Sequence, residues 1–294
     1  MKKLLIVLCC ILALQSCNNG STGTETVNGF DINWSGDLNK KEQDAVKEMI
    51  SNMVKVEAGT FYMGAQKDSV IYNNYDENAT SLESPVHEVT VGEFYINKYE
   101  VTQNLWKAIM GKHNDRVDEF DQWEDEFGKG DNYPAYRITF KEVETFISKL
   151  NECTGLNFAL PTEAQWEWAA IGGIKSNNYT FSGSNNVAEV AAVNGELNEV
   201  AKLKANELGI YDMTGNVEEW TANKYGKYSA TESTDPVGPT SGSDYVTRGG
   251  HYEYGADADL LNVKSRNKIK GTDASYVRGL RLILEEPLPT ELLK

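Results

Sequence analysis

Apolar positions change their spacing several times along the chain. From Asp37 to Asn52 they fall at Leu38, Ala45 and Met49, with Met53 just beyond, and lysines and glutamates fill the gaps. That spacing predicts a helix. Met53-Val54-Lys55-Val56 alternates instead, and Ala58-Gly59-Thr60 turns the chain into Phe61-Tyr62-Met63-Gly64. A second strand pair is expected at 86–91 and 94–96. Three further helices carry start and stop signals. Thr102 caps one with Leu105, Trp106, Ile109 and Met110 inward and Gly111 as its end. Thr139 with Glu142 makes a capping box ahead of Val143, Phe146, Ile147 and Leu150. Thr162 with Gln165 makes another, with Trp166, Ala169 and Ala170 inward and Gly172-Gly173 as the stop. Between His113 and Gly130 acidic residues alternate with Phe120, Trp123 and Phe127, which reads as a short, solvated amphipathic helix. From Gly209 to Leu284 turn residues, aromatics and short apolar pairs dominate. Few long helices, short strands and much loop predict an α+β domain rich in irregular structure.

The first residues follow a different logic. Met1-Lys2-Lys3 precedes an apolar run from Leu4 to Leu14, shorter than the ~20 residues a spanning helix needs. It reads as a secretory signal. Leu14-Gln15-Ser16-Cys17 resembles the lipobox of bacterial lipoproteins, which implies lipid on Cys17. The polar residues that follow read as a flexible tether. The chain then divides into a signal segment (1–16), a tether (17–36), a helix (37–52), one large domain (53–286) and a tail (287–294). Localisation at the bacterial cell envelope, held to the membrane by the lipid, is the expectation.

Cysteine and charge narrow the chemistry. Of four cysteines, Cys9 and Cys10 lie in the signal and Cys17 would carry lipid. Cys153 alone remains, so no internal disulfide and no two-thiol site can form. Its neighbours Leu150 and Leu156 make it a small buried hydrophobe. The formal charge of −16 argues against nucleic acid and anionic membrane surfaces as partners.

Several segments, in order, resemble the formylglycine-generating (sulfatase-modifying) family. They are Val56-Glu57-Ala58-Gly59-Thr60-Phe61-Tyr62-Met63-Gly64, Pro85-Val86-His87-Glu88-Val89-Thr90-Val91, Tyr99-Glu100-Val101-Thr102, Leu160-Pro161-Thr162-Glu163-Ala164-Gln165-Trp166-Glu167-Trp168, Gly209 to Trp220, Arg248-Gly249-Gly250 and Arg278-Gly279-Leu280-Arg281. The resemblance covers roughly residues 53 to 285 and implies a compact α+β fold related to C-type lectins. Oxidase members of that family hold copper on two cysteines and convert a sulfatase cysteine to formylglycine. The corresponding positions here are Tyr254 and Asp259, and no cysteine occurs from Gly250 to Lys294. A phenol and a carboxylate do not replace two soft thiolates for Cu(I), so no copper is expected. The family usually has serine where His251 stands and an aromatic residue where Glu218 stands. His87 is expected to be structural.

The resemblance also implies a structural Ca²⁺ site, with carbonyls of Thr214, Gly215 and Val217 and the side chain of Glu219 as ligands. Hydrogen bonding by Asn216 and Glu219 is the simpler reading of that loop. The stretch from His251 to Tyr276 carries candidate binding residues: His251, Tyr252, Tyr254, Asp257, Asp259, Asn262 and Lys264. Tyrosine and asparagine supply contact area and adaptable hydrogen bonds. This reading makes the protein a non-catalytic lipoprotein that binds an envelope protein or glycan, or scaffolds an envelope assembly. It expects alanines at Tyr252, Tyr254 and Asp259 to spare the fold. The alternative is a metal-dependent oxidoreductase of the same family with a remodelled site using His251.

Overall fold

The computed structural model describes residues 23–67, 74–111, 123–124, 127–256 and 259–285. Cys17, Asp257, the signal segment, the tail and most of the acidic stretch at 113–126 lie outside the described residues.

The first element corrects the sequence reading. Residues expected to be tether form a hairpin of β1 (Gly23–Val27) and β2 (Phe30–Trp34). Asn28 and Gly29 both have positive φ, 51° and 84°, as a two-residue hairpin loop requires. Phe30, Ile32 and Trp34 alternate with exposed Asp31 and Asn33 and enter the main core. The hairpin is tied at both ends. The Asn28 amide donates to the carbonyls of Ile50 and Met53, and Ser35 N donates to Cys153 O at 3.0 Å. Polar composition masked an alternation of period two backed by an Asn-Gly turn.

The helices follow their caps. α1 (Lys40–Ser51) starts from a capping box of Asn39 and Glu42, two residues inside the expected start. α2 (Gln103–Met110) is capped by Thr102 and ends at Gly111, whose φ of 71° is left-handed. α3 (Phe140–Thr154) and α4 (Glu163–Ala170) have the predicted boxes at Thr139–Glu142 and Thr162–Gln165. A short α5 (Val187–Val190) follows.

The strands are short and mostly antiparallel. β3 (Met53–Val56), β6 (Phe94–Asn97), β7 (Phe158–Ala159) and β13 (Ile283–Leu284) form a sheet in the order β3-β6-β13-β7. β4 (Gly59–Met63) pairs with β5 (His87–Val91), and β9 (Ser233–Thr234) joins β5 in parallel. The segments at 86–91 and 94–96 are therefore strands, as expected, but in different sheets. The third sheet runs β11 (Arg266–Lys270), β10 (Asp244–Arg248), β8 (Glu218–Lys224), β12 (Arg278–Leu280).

Two apolar clusters fill the interior. One gathers the hairpin with α1, α2 and α3 around Trp106, Phe146 and Trp220. The other lies between the β4-β5 pair and α4 around Phe61, Trp166 and Trp168. Trp123 belongs to the first cluster, and Phe127 stacks on Tyr276. Cys153 packs against the same core, half-buried, and burial pushes its thiol up to about 11.

Candidate functional site

Four buried arginine–carboxylate pairs organise the centre of the domain. On α4, Glu163 and Glu167 lie one turn apart. Glu163 accepts from Arg266 Nε and Nη2, both at 2.6 Å, and from the Tyr228 hydroxyl at 2.7 Å. Burial opposes ionisation of Glu163, yet Arg266 and Arg248 hold its carboxyl below the usual range. Glu167 pairs with Arg248 and accepts the Gly64 amide at 2.9 Å.

The other two pairs come from neighbouring residues of β8, whose side chains point to opposite faces of the sheet. Glu219 accepts from Arg281 at 2.7–3.2 Å through both oxygens, and from Trp166 Nε1 at 2.7 Å. Glu218 accepts from Arg278 at 2.6 and 2.9 Å and from the Thr247 hydroxyl at 2.8 Å. Glu218 is 3% exposed and Glu219 0%.

Beyond β10 the chain turns sharply at Gly249-Gly250. Gly250 has φ of 67°, and a Cβ there would lie 2.8 Å from the Leu260 carbonyl oxygen, so glycine is required. The turn at 251–254 closes with Tyr254 N donating to His251 O at 3.1 Å, and the His251 ring stacks on Tyr254 at 3.7 Å. Three backbone bonds clamp it. Tyr252 N donates to Asn216 O, Gly195 N to Tyr252 O and Asn194 N to Tyr254 O, at 2.7–2.8 Å. Asn216 is fully buried. Its side chain donates to Glu100 Oε1 at 3.0 Å and accepts the Asn198 amide at 3.1 Å.

The predicted binding residues do not form one exposed face. His251 and Tyr252 are buried, at 9% and 4% exposure. Burial lowers the His251 pKa and pushes the Tyr252 phenol up to about 12, so the ring is neutral and the phenol protonated at neutral pH. Tyr254 is half-buried. Asp259 is exposed but accepts from the Asn78 amide at 2.7 Å, and Asn262 donates to Asp76 at 2.8 Å. Asp259 and Asn262 thus tie their loop to residues 76–78. Lys264 is half-buried, and burial lowers its ammonium pKa against the pull of Glu167 and Asp76. The expectation that an alanine at Tyr252 spares the fold is corrected, because its ring sits in the interior. Exposure is left to Glu253, Ala256 and Asp259, with part of Tyr254.

The expected calcium set is placed differently from a cation site. Its one acidic side chain, Glu219, gives both oxygens to Arg281 and Trp166. A divalent ion would compete with a guanidinium for them, so the donors do not fit Ca²⁺. Among the described residues no group of three or more His, Cys, Asp or Glu gathers to hold a metal. Asn216 and Glu219 instead tie down the loop. Tyr254 and Asp259, expected from the resemblance to stand at the family's thiol positions, make other contacts: Tyr254 stacks on His251 and Asp259 accepts from Asn78. Beside Glu218, Arg248, Gly250, Leu260 and Asn267 a cavity of only about 10 Å³ remains.

Sequence reasoning missed the Glu218–Arg278 pair, and it offered hydrogen bonding by Asn216 without its partners Glu100 and Asn198. A signal for the first was present: two adjacent acids in a strand flanked by Val217 and Trp220 demand two separate buried partners.

Residues 38–286 match the sulfatase-modifying factor enzyme 1-like domain family, to which the chain therefore belongs. Chaperone protein LppX of Paenibacillus barcinonensis is 39% identical over 177 residues, 45% of this chain and 62% of that protein. The formylglycine-generating enzyme of Mus musculus is 23% identical over 262 residues, 69% of this chain and 66% of that enzyme. The chain thus spans less than two thirds of either relative's length. Among solved structures, Treponema denticola variable protein 1 superposes with a TM-score of 0.64 at 24% identity, over 89% of this chain and 98% of that one. That likeness establishes the α+β fold.

Proposed function

We propose that this member of the sulfatase-modifying factor family is a cell-envelope lipoprotein that binds a protein or glycan partner and does not oxidise thiols. One observation supports the reading: the two residues expected at the family's thiol positions are engaged in other contacts. Tyr254 stacks on His251, Asp259 is bonded to Asn78, and the buried Glu218 nearby is paired with Arg278. A rigid, clamped turn at 251–254 suits presentation of a small surface, because binding then costs little loop ordering. The lipobox-like sequence ending at Cys17 supports lipid anchoring. The similarity to chaperone protein LppX supports an envelope role, and the acidic chain supports a partner other than nucleic acid.

The test is photo-crosslinking in intact cells. A photoreactive residue at exposed Glu253 is compared with one at exposed Ile174, outside the turn. The reading expects a discrete envelope adduct from position 253 and none from 174. No adduct from 253, or the same adducts from both, contradicts it. The second reading, a metal-dependent oxidoreductase, draws on one observation: His251 keeps a neutral ring whose buried Nδ1 has no hydrogen-bond partner among the described residues. Air oxidation of a thiol peptide by the metal-loaded protein, lost in His251→Gln, would favour it.

A further inference from the structure

A second concavity lies away from the thiol positions, between β5, α4 and the loop at 223–239. Its volume is about 270 Å³, close to the lower end of the ~300–1,000 Å³ typical of small-molecule sites. That is room for one sugar-sized ring.

Its floor is made of buried polar side chains. His87 is 8% exposed, Asn223 5% and Glu163 3%. The His87 ring packs against Tyr228 at 4.7 Å, and Tyr228 in turn lies under the Arg266 guanidinium at 4.1 Å. Those contacts fix the imidazole. Its Nδ1 lies 3.1 Å from the Pro85 carbonyl oxygen, which can only accept, so Nδ1 carries the proton. Nε2 is then a hydrogen-bond acceptor. Burial lowers the His87 pKa and keeps the ring in this neutral form. The Asn223 side-chain oxygen is fixed by accepting the Glu163 amide at 2.8 Å, while its NH2 makes only a long bond, 3.4 Å, to Pro236 O and keeps donor capacity for a ligand.

The mouth has the opposite character. Lys224, whose ammonium donates to the Thr240 carbonyl at 3.3 Å and keeps further protons to give, and exposed Lys227 line it, with Glu232 on the same rim. By formal charge Glu232 balances one of the two lysines, and Glu163 beneath pairs with Arg266. Net positive charge remains at the mouth, on a chain whose formal charge is −16. A ligand that matches this arrangement carries an anionic group at one end and a hydroxyl donor at the other.

We propose that this pocket binds a hydroxylated carboxylate of one ring's size, a sugar acid, with His87 Nε2 accepting a ligand hydroxyl and Lys224 and Lys227 meeting its carboxylate. A fully ionised phosphate monoester group has no O–H of its own to offer the floor acceptor, so the hydroxyl must come from the rest of the ligand. A free metal ion would face the two ammoniums. The assignment does not depend on the turn at 251–254, so its failure would leave the partner-binding reading untouched.

Calorimetric titration of the full chain with D-glucuronate, D-glucose and a glucuronate-ended oligosaccharide tests it. Glucuronate is expected to bind saturably, at least about tenfold more tightly than glucose, a difference of ~1.4 kcal/mol. Lys227→Glu, a change at an exposed side chain, is expected to weaken it by at least a similar factor with an unchanged melting temperature. His87→Gln is expected to do the same, and Lys227→Glu decides alone if that variant does not fold. Tighter binding of the oligosaccharide assigns the pocket to a glycan end, and equal binding assigns it to the free acid. Absence of saturable glucuronate binding, equal binding of glucose, or undiminished binding by Lys227→Glu overturns the proposal.

Discussion

Glu218 and Glu219 are neighbours on one strand, both buried and both paired with arginine, yet they belong to different regions. On the Glu219 side, Arg281 bonds both Glu219 and the Asn97 carbonyl and Trp166 bonds Glu219, which ties two sheets and α4 into a frame beside Glu100 and Asp212. On the Glu218 side, Arg278, Thr247 and Asn267 fill the ground beside Tyr254 and His251. The first face preserves the fold. The second lies beside Tyr254, a position expected to correspond to one of the family's thiols, and there a buried ion pair of Glu218 and Arg278 stands. The contrast separates what a fold needs from what an activity needs, since function resides in sites carried on folds.

The frame is the costlier region to disturb. Glu219→Ala leaves the fully buried Arg281 guanidinium without its carboxylate. Removing one partner of such a pair costs about 3–5 kcal/mol, measurable by urea denaturation. Glu218→Ala should cost less, roughly 2–3 kcal/mol, because an alternative partner reduces the penalty of an unpaired charge. Arg278 keeps that alternative in Asp273, at 3.1 Å. Replacing Glu218 and Arg278 together by leucine and methionine should recover most of the loss. Equal losses for the two single alanine variants would erase the distinction between the faces.

The Glu219 side also carries a pH signature. Burial pushes the Asp212 carboxyl up to about 6, against the Ala201 amide and Arg281. Burial, and then the charge of Asp212, push Glu100 well above the usual carboxylate range. Both groups therefore hold protons more tightly folded than unfolded. Their contribution is complete below the unfolded pKa and is lost as pH rises through the folded values. For Asp212 this amounts to roughly 1–3 kcal/mol, lost as pH passes about 6. A melting series across that range should slope downward, and Asp212→Asn should flatten it. A slope unchanged in that variant would assign the effect to other groups. The smallest expected effect concerns calcium: EDTA should leave the melting temperature unchanged, because Glu219 is already committed to Arg281.

Much of the frame was legible in the sequence. Thr102, Thr139 and Thr162 marked their helices because capping is a local matter of one side chain and a few amides. Ordered family segments marked the fold. The hairpin at 23–34 escaped because its polar residues hide the buried Phe30, Ile32 and Trp34. The pairing of strands 87–91 and 94–97 with separate partners escaped because sheet order is a long-range property. The site was legible only in what it lacks. That no cysteine occurs from Gly250 to Lys294 is plain in the chain. That Tyr252 turns inward, that Asp259 is spent on Asn78, and that Glu218 finds Arg278 sixty residues away depends on contacts no local pattern encodes.

The central claim is that the Glu218 side has exchanged chemistry for an ion pair. The most direct measurement incubates the purified protein, loaded with copper or iron, in air with a peptide carrying Cys-x-Pro-x-Arg, and reads the product by mass spectrometry. The account predicts an unmodified thiol from a protein that melts as a folded domain. Conversion of the cysteine to formylglycine would contradict it.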